Sequence, residues 1–262
     1  MCPIAPKSKI TRTNFPAEGA PAQTVLDRAM NAMLRPDSPE LSTLLPREVV
    51  TVVAEQRHRI APVLVAEAEY MATRPMRPQR EAEFRAGRAC AREALLKMGI
   101  DGWPLLPAAT REPRWPGDVV GSITHSGAYC AAALARGNEF AGIGIDVEAT
   151  GRVGDELAPL VCNRSELAAL DKCEPCARAA MLTLIFSAKE SVFKAVFPRE
   201  RLYLEFDDVE IEVEPATEAC DGTFRARGRT PALERLLQRL EGRFAVGKAN
   251  VATAAVLAHQ GG

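Results

Sequence analysis

Two stretches of the chain, Phe84-Arg-Ala-Gly-Arg-Ala-Cys-Ala-Arg92 and Phe186-Ser-Ala-Lys-Glu-Ser-Val-Phe-Lys194, align without a gap. Phe84 matches Phe186, Ala86 matches Ala188 and the closing Arg92 matches Lys194, while Arg88 falls opposite Glu190. Alanine-rich helices look alike, so a few matches over so short a run decide little by themselves. Each run, however, is followed by strand-like segments. The two halves also end alike, in Cys130-Ala-Ala-Ala-Leu-Ala135 and Val251-Ala-Thr-Ala-Ala-Val-Leu-Ala258. A chain that repeats a helix and then strands is expected to form two related modules packed face to face. A ligand between them would meet cations from one half and carboxylates from the other, an asymmetry that suits a nucleotide diphosphate.

The carboxylates come from two further patterns. Gly142-Ile-Gly-Ile-Asp-Val-Glu148 alternates as a strand does, so Asp146 and Glu148 share one face and Ile145 and Val147 the other. Phe186, Glu190, Phe193 and Phe197 recur at helical spacing and form one stripe. Glu190 inside an apolar stripe is costly when ionised unless something compensates it. Asp146, Glu148 and Glu190 could converge on one hard cation with oxygen ligands, with Mg²⁺ the leading candidate. Lys194, one turn beyond Glu190, could meet an anion held by that cation. Taken singly, each of these residues is more often a solvated or pairing group, and Glu190 with Lys194 is an ordinary i,i+4 pair. Taken together they outline a phosphate-handling site.

Composition excludes several classes. At 262 residues the chain suits one large domain or two small ones. A net charge of −1 gives no overall pull toward nucleic acid or an anionic membrane. No run of apolar residues is long enough to span a bilayer, and the first ten residues lack the apolar stretch of a signal peptide, so a cytoplasmic location is expected. Seven cysteines then read as free thiols. Cys173-Glu-Pro-Cys176 has no second pair to complete a zinc site and reads as a helix-start turn around Pro175; Cys90 and Cys130 read as small core residues.

Along the chain, residues 1–22 read as a loose extension rich in Pro, Ala and Gly, with helices hinted at 24–34 and 63–73. The clearest early helix is 78–98, with Phe84, Ala91 and Leu95 on its apolar side and Gly99 as its stop. A Pro-rich loop at 104–117 precedes strands at 119–123, 129–135 and 140–148. Helices are expected at 164–171 and 176–197, the second ending before Pro198. Strands are expected at 208–214, 223–228, 243–248 and 251–258.

At these residues the chain resembles a known family. Gly144-Ile-Asp-Val-Glu148 and Phe186–Lys194 resemble the two signature motifs of 4′-phosphopantetheinyl transferases of the monomeric two-module kind. Glu83–Leu95, Arg111–Pro116 and Gly121–Ser126 resemble, in order, segments of the branch that includes enterobactin synthetase component D. The resemblance implies an α+β fold of two similar α/β modules about a pseudo-twofold. It places an N-terminal module at 23–139, a C-terminal module at 140–262, and coenzyme A in the cleft between them. The implied reaction is attack by a carrier-protein serine on the β-phosphate of coenzyme A, with release of adenosine 3′,5′-bisphosphate. The implied partners are apo acyl or peptidyl carrier proteins of siderophore or other secondary-metabolite synthesis, and the implied state is a monomer.

The resemblance also implies roles. Asp146, Glu148 and Glu190 would hold Mg²⁺ or Mn²⁺, and Glu190 would also deprotonate the serine, directly or through water. Lys194 would sit on the diphosphate. A lone histidine is usually a satisfied structural group, but Thr124 and His125 match residues that contact the coenzyme A phosphates. Arg80, Arg88, Arg111 and Arg114 are available for the 3′-phosphate and adenine, with Arg88 and Arg111 fitting the pattern best. Glu112 stands where more distant relatives often carry Lys, so Arg111 is the expected substitute. The competing readings are a Mg²⁺-dependent phosphohydrolase of coenzyme A or nucleotides, and a non-catalytic coenzyme A-binding module.

Overall fold

The computed structural model describes residues 40–54, 69, 71, 76–215 and 221–260. The expected extension at 1–22 and helix at 24–34 lie outside the described residues, as does most of the helix expected at 63–73.

The first unit consists of β1 (Val50–Ala54), the long helix α1 (Pro78–Lys97), β2 (Val119–Ser126) and β3 (Tyr129–Arg136). The second opens with β4 (Gly142–Ala149), followed by the short helices α2 (Ala158–Val161) and α3 (Arg164–Leu170) and the long α4 (Pro175–Glu200). It closes with β5 (Val209–Pro215), β6 (Asp221–Gly228), α5 (Pro231–Leu237), β7 (Leu240–Val246) and β8 (Asn250–Leu257). Two antiparallel sheets result, ordered β1-β3-β2 and β4-β8-β7-β6-β5. The topology repeats. In each unit the strand before the long helix pairs with the last strand of a later hairpin: β1 with β3, and β4 with β8. β5, β6 and α5 are an insertion that widens the second sheet. Neither β1 nor α5 was expected from the sequence: β1 is short, and α5 buries only Leu233 and Leu237, too few to show a period.

Strand alternation sorts the core into layers. On β3, Cys130, Ala132 and Leu134 pack under α1, whereas Ala131, Ala133 and Ala135 face the second sheet. On β4, Ile143, Ile145 and Val147 join that inter-sheet layer, and the opposite face turns toward α4. The order is therefore α1, first sheet, second sheet, α4.

The long helices begin and end for local reasons. Each has Pro at its first position, where the missing N–H costs nothing. Cys173 and Cys176 thus flank the helix start at Pro175, the turn expected there. After α1, Gly99 turns left-handed with φ +78°. α4 does not stop before Pro198 as expected but runs on to Glu200. Pro198 sits in the last turn, where the bond it cannot donate is one of few remaining. Buried Phe197 and an Arg201 in left-handed conformation, whose N–H bonds Phe197 O at 3.0 Å, close the helix beyond it.

Two contacts place the future site. α4 crosses β4 backbone to backbone: a Cβ on Gly144 would lie 1.8 Å from Ser191 O, and one on Gly142 2.1 Å from Ala195 O. Only glycine permits that crossing, which carries Glu190 and Lys194 over Asp146. The second contact is a seam between the sheets. β2 and β4 are edge strands lying side by side, yet hydroxyls replace the backbone ladder. Ile145 N–H donates to Ser122 Oγ at 3.1 Å, Val147 N–H to Thr124 Oγ1 at 3.0 Å and Ala149 N–H to Ser126 Oγ at 3.1 Å. The period of two in Ser122, Thr124 and Ser126 matches the outward N–H groups of a neighbouring strand. Those buried donors are thereby satisfied.

Candidate active site between the two sheets

A cleft of about 480 Å³ opens beside this seam. α1 contributes Arg80, Phe84 and Arg88; β2 contributes Thr124 and His125; β4 contributes Asp146 and Glu148; α4 contributes Phe186, Glu190, Phe193, Lys194 and Phe197. Arg88 and Glu190, opposite each other in the repeat, thus line one cleft from two helices. On the α4 stripe Phe186 and Phe193 are half-buried walls of the cleft and Phe197 is buried, while the helix packs through Leu182, Ile185, Val192 and Val196.

Asp146 is at the centre and buried. Its Oδ1 accepts from Lys194 Nζ at 2.7 Å and from Thr124 Oγ1 at 3.3 Å. Lys194 also donates to Ile145 O at 3.3 Å. Asp146 Oδ2 is buried with no hydrogen-bond partner. A buried carboxylate oxygen left alone is costly, and its natural complement is a cation or donor brought in by a ligand.

The ionisations reflect crowding. Burial, and then the charge of Asp146, push the Glu148 carboxyl up to about 7. Burial also raises Glu190, against the pull of Lys194. Burial lowers Lys194, but Asp146, Glu190 and Glu148 together outweigh it and hold the ammonium above its usual range. Carboxylates that resist ionisation beside an unpartnered oxygen are a donor set suited to a hard cation. The convergence is looser than the sequence suggested. Lys194 occupies Asp146 Oδ1, and among the described residues no three His, Cys, Asp or Glu side chains are gathered closely enough to hold a metal.

Arg88 supplies the positive side. The residue is 3% exposed, and its guanidinium lies 4.6 Å from the centre of the Phe84 ring and leaves Nε buried without a partner. Burial pulls it down to about 10, still cationic at neutral pH. A desolvated, unpaired guanidinium facing a cleft is a ready anion receptor. His125 Nε2 lies 2.6 Å from Arg80 Nη1, so the neutral ring carries its proton on Nδ1, 3.7 Å from Glu83 Oε2. Glu83, which sequence reasoning passed over, thereby orders both Arg80 and His125. Arg111 and Arg114 are both exposed, but Arg111 lines the cleft and Arg114 a separate groove on the other side of the 104–117 loop.

Two features went unread. Thr124 is the link between Asp146 and the seam: it accepts from Val147 N–H and donates to Asp146. Lys189, inside the α4 motif, points away from the cleft. It donates to Glu166 at 2.7 Å and to Val161 O and Phe206 O at 2.8 Å each, a buried staple that fixes the back of the helix. Glu166 also takes the N–H groups of Asn163 and Ile211. No spacing in the sequence separates a buried lysine of this kind from a solvated one.

Comparison with known proteins agrees with this arrangement. Residues 66–135 match the 4′-phosphopantetheinyl transferase N-terminal domain, and residues 142–245 match the 4′-phosphopantetheinyl transferase superfamily. The chain is 41% identical over 191 residues to 4′-phosphopantetheinyl transferase Svp of Streptomyces mobaraensis, covering 71% of this chain and 75% of that protein. It is 33% identical over 183 residues to 4′-phosphopantetheinyl transferase PptT of Mycobacterium tuberculosis, covering 68% and 80%. Enterobactin synthase component D of Escherichia coli O157:H7 matches at 38% over 119 residues, covering 45% of this chain and 55% of that protein. The two matched regions divide where the first sheet gives way to the second and share the cleft between them, and on that correspondence the chain belongs to the 4′-phosphopantetheinyl transferase superfamily.

Proposed function

We propose that the chain transfers 4′-phosphopantetheine from coenzyme A to a serine of an apo carrier protein. The observation that carries this reading is the pairing of a buried, unpartnered Arg88 with Asp146, Glu148 and Glu190 across one cleft. A cationic wall faces a carboxylate wall, as a diphosphate flanked by a 3′-phosphate demands. Arg88, Arg111 and the Arg80–His125 pair would take phosphate oxygens. The half-buried aromatic wall would exclude water. The serine oxygen forms a bond to the β-phosphorus as the bond to the adenosine bisphosphate oxygen breaks, and the serine proton passes to a carboxylate oxygen of Glu190. Burial raises the pKa of Glu190 and so makes it a better base than a solvated glutamate. Lys194, one turn away, would stabilise charge on the transferred group.

Mg²⁺ or Mn²⁺, which when bound would neutralise the diphosphate charge, would be met by the unpartnered Asp146 Oδ2, with Glu148 and Glu190 drawn closer to it than they stand here. The two modules, divided near residue 140, supply opposite walls of one site, which supports a monomer as the working unit. Among the described residues no helix is long and apolar enough to cross a membrane. A direct test follows release of adenosine 3′,5′-bisphosphate with and without apo carrier protein. A transferase releases it only with the carrier; equal release without one would identify a hydrolase, and none at all a passive binder.

A further inference from the structure

Among the described residues only two non-glycine residues adopt positive φ, Arg111 at 76° and Arg201 at 53°. They belong to one feature. Residues 106–114 form a small hairpin in which Ala108 N–H donates to Glu112 O at 2.8 Å and Arg111 N–H to Ala108 O at 2.9 Å. Arg111 is the last residue of its three-residue loop, the left-handed place that glycine or asparagine usually fills. The next residue, Glu112, reaches across to form an ion pair with Arg201 at the end of α4. Arg201 in turn lies 5.7 Å from the ring centre of Phe197, which stacks on Phe193 at 5.0 Å. Left-handed conformations at non-glycine residues are unfavourable and persist where surrounding contacts hold them.

We propose that the Glu112–Arg201 pair is a latch that positions Arg111 at the anion-binding end of the cleft. It fastens the hairpin from the first unit to the aromatic wall of the second. Glu112 is negatively charged and already paired with Arg201, so its task is not to touch the anion. It neutralises Arg201, and the strained Arg111 is left as the hairpin's cation in the cleft. Arg111 is thus the contacting residue and Glu112 the positioning residue. Burial opposes ionisation of Glu112, but its bonds to Thr110 and Arg201 prevail and keep it ionised.

This proposal rests on the transferase reading and deepens it. It is tested by measuring KM for coenzyme A and kcat in wild type, Glu112→Gln, Arg201→Gly, Arg111→Gly and the Glu112→Gln/Arg111→Gly double variant. Glycine suits both left-handed positions, so these variants are expected to fold. The pair is partly exposed, so Glu112→Gln and Arg201→Gly should each raise KM by about two- to five-fold, with kcat nearly unchanged and the effect shrinking at high salt. In the Arg111→Gly background Glu112→Gln should have no further effect on KM, because the latch acts through Arg111. An unchanged KM in Glu112→Gln, or the same increase with and without Arg111, would overturn the proposal. A wild-type protein that transfers nothing would instead defeat the transferase reading, and would do so before any variant is compared.

Discussion

Lys194 Nζ lies 2.7 Å from Asp146 Oδ1 while the other oxygen of the same carboxylate has no partner. One carboxylate is thus half neutralised by the helix and half reserved for what enters the cleft. The pair crosses from α4 to β4 at the point where Gly142 and Gly144 let the two backbones touch. It joins the energetics of the fold to the chemistry of the site.

Asp146→Asn keeps the shape of the side chain and removes its charge. Turnover should fall by about two orders of magnitude or more, because the diphosphate loses its principal counter-charge system. Coenzyme A binding should suffer less, since on this account Arg88 and Arg111 would hold phosphate independently of Asp146. Transfer assays beside calorimetric titration with coenzyme A separate the two effects, and near wild-type turnover would exclude a central role for Asp146.

Thr124→Val leaves Val147 N–H buried without an acceptor and takes a donor from Asp146. The expected loss is about 1–3 kcal/mol of stability, read by urea unfolding, together with reduced turnover. Thr124→Ser retains the hydroxyl and should recover most of both. If the valine variant matches wild type, the hydroxyl seam does not hold the two strands in register.

Much of this was legible in the sequence, and the reasons differ by residue. Asp146 and Glu148 were readable because a strand's period of two leaves no other choice of face, and Arg88 opposite Glu190 because the repeat survives in both helices. The end of α4 was misread, since Pro198 is judged by rule as a helix stop while its cost depends on how many turns follow. Thr124, Glu83 and Lys189 were invisible in their actual roles, because each depends on a partner distant in sequence or on which side of a helix meets the core. Arg111 was preferred to Arg114 on the resemblance alone, since the hairpin that sends the two to different grooves leaves no mark in their spacing.

Glu148 offers a test by pH. Its folded-state pKa is raised to about 7, above that of the unfolded chain, so the folded state holds its proton longer. Stability in EDTA should therefore decline as pH rises from the ordinary carboxylate range toward 7, and level off above it. Glu148→Gln should remove that decline, melting higher than wild type at pH 8 and much the same at pH 4. A parallel pH dependence in both proteins would place the strain elsewhere.

The most direct measurement is intact-mass spectrometry of an apo carrier protein incubated with coenzyme A, Mg²⁺ and either wild type or Glu190→Gln. Wild type should add one phosphopantetheinyl group to the carrier's serine. Glu190→Gln should do so about two orders of magnitude more slowly while still binding coenzyme A, as expected for a lost general base. A panel of carriers left unmodified by wild type would contradict the assignment of the cleft to phosphopantetheinyl transfer, and a Glu190→Gln variant as fast as wild type would remove Glu190 as the base.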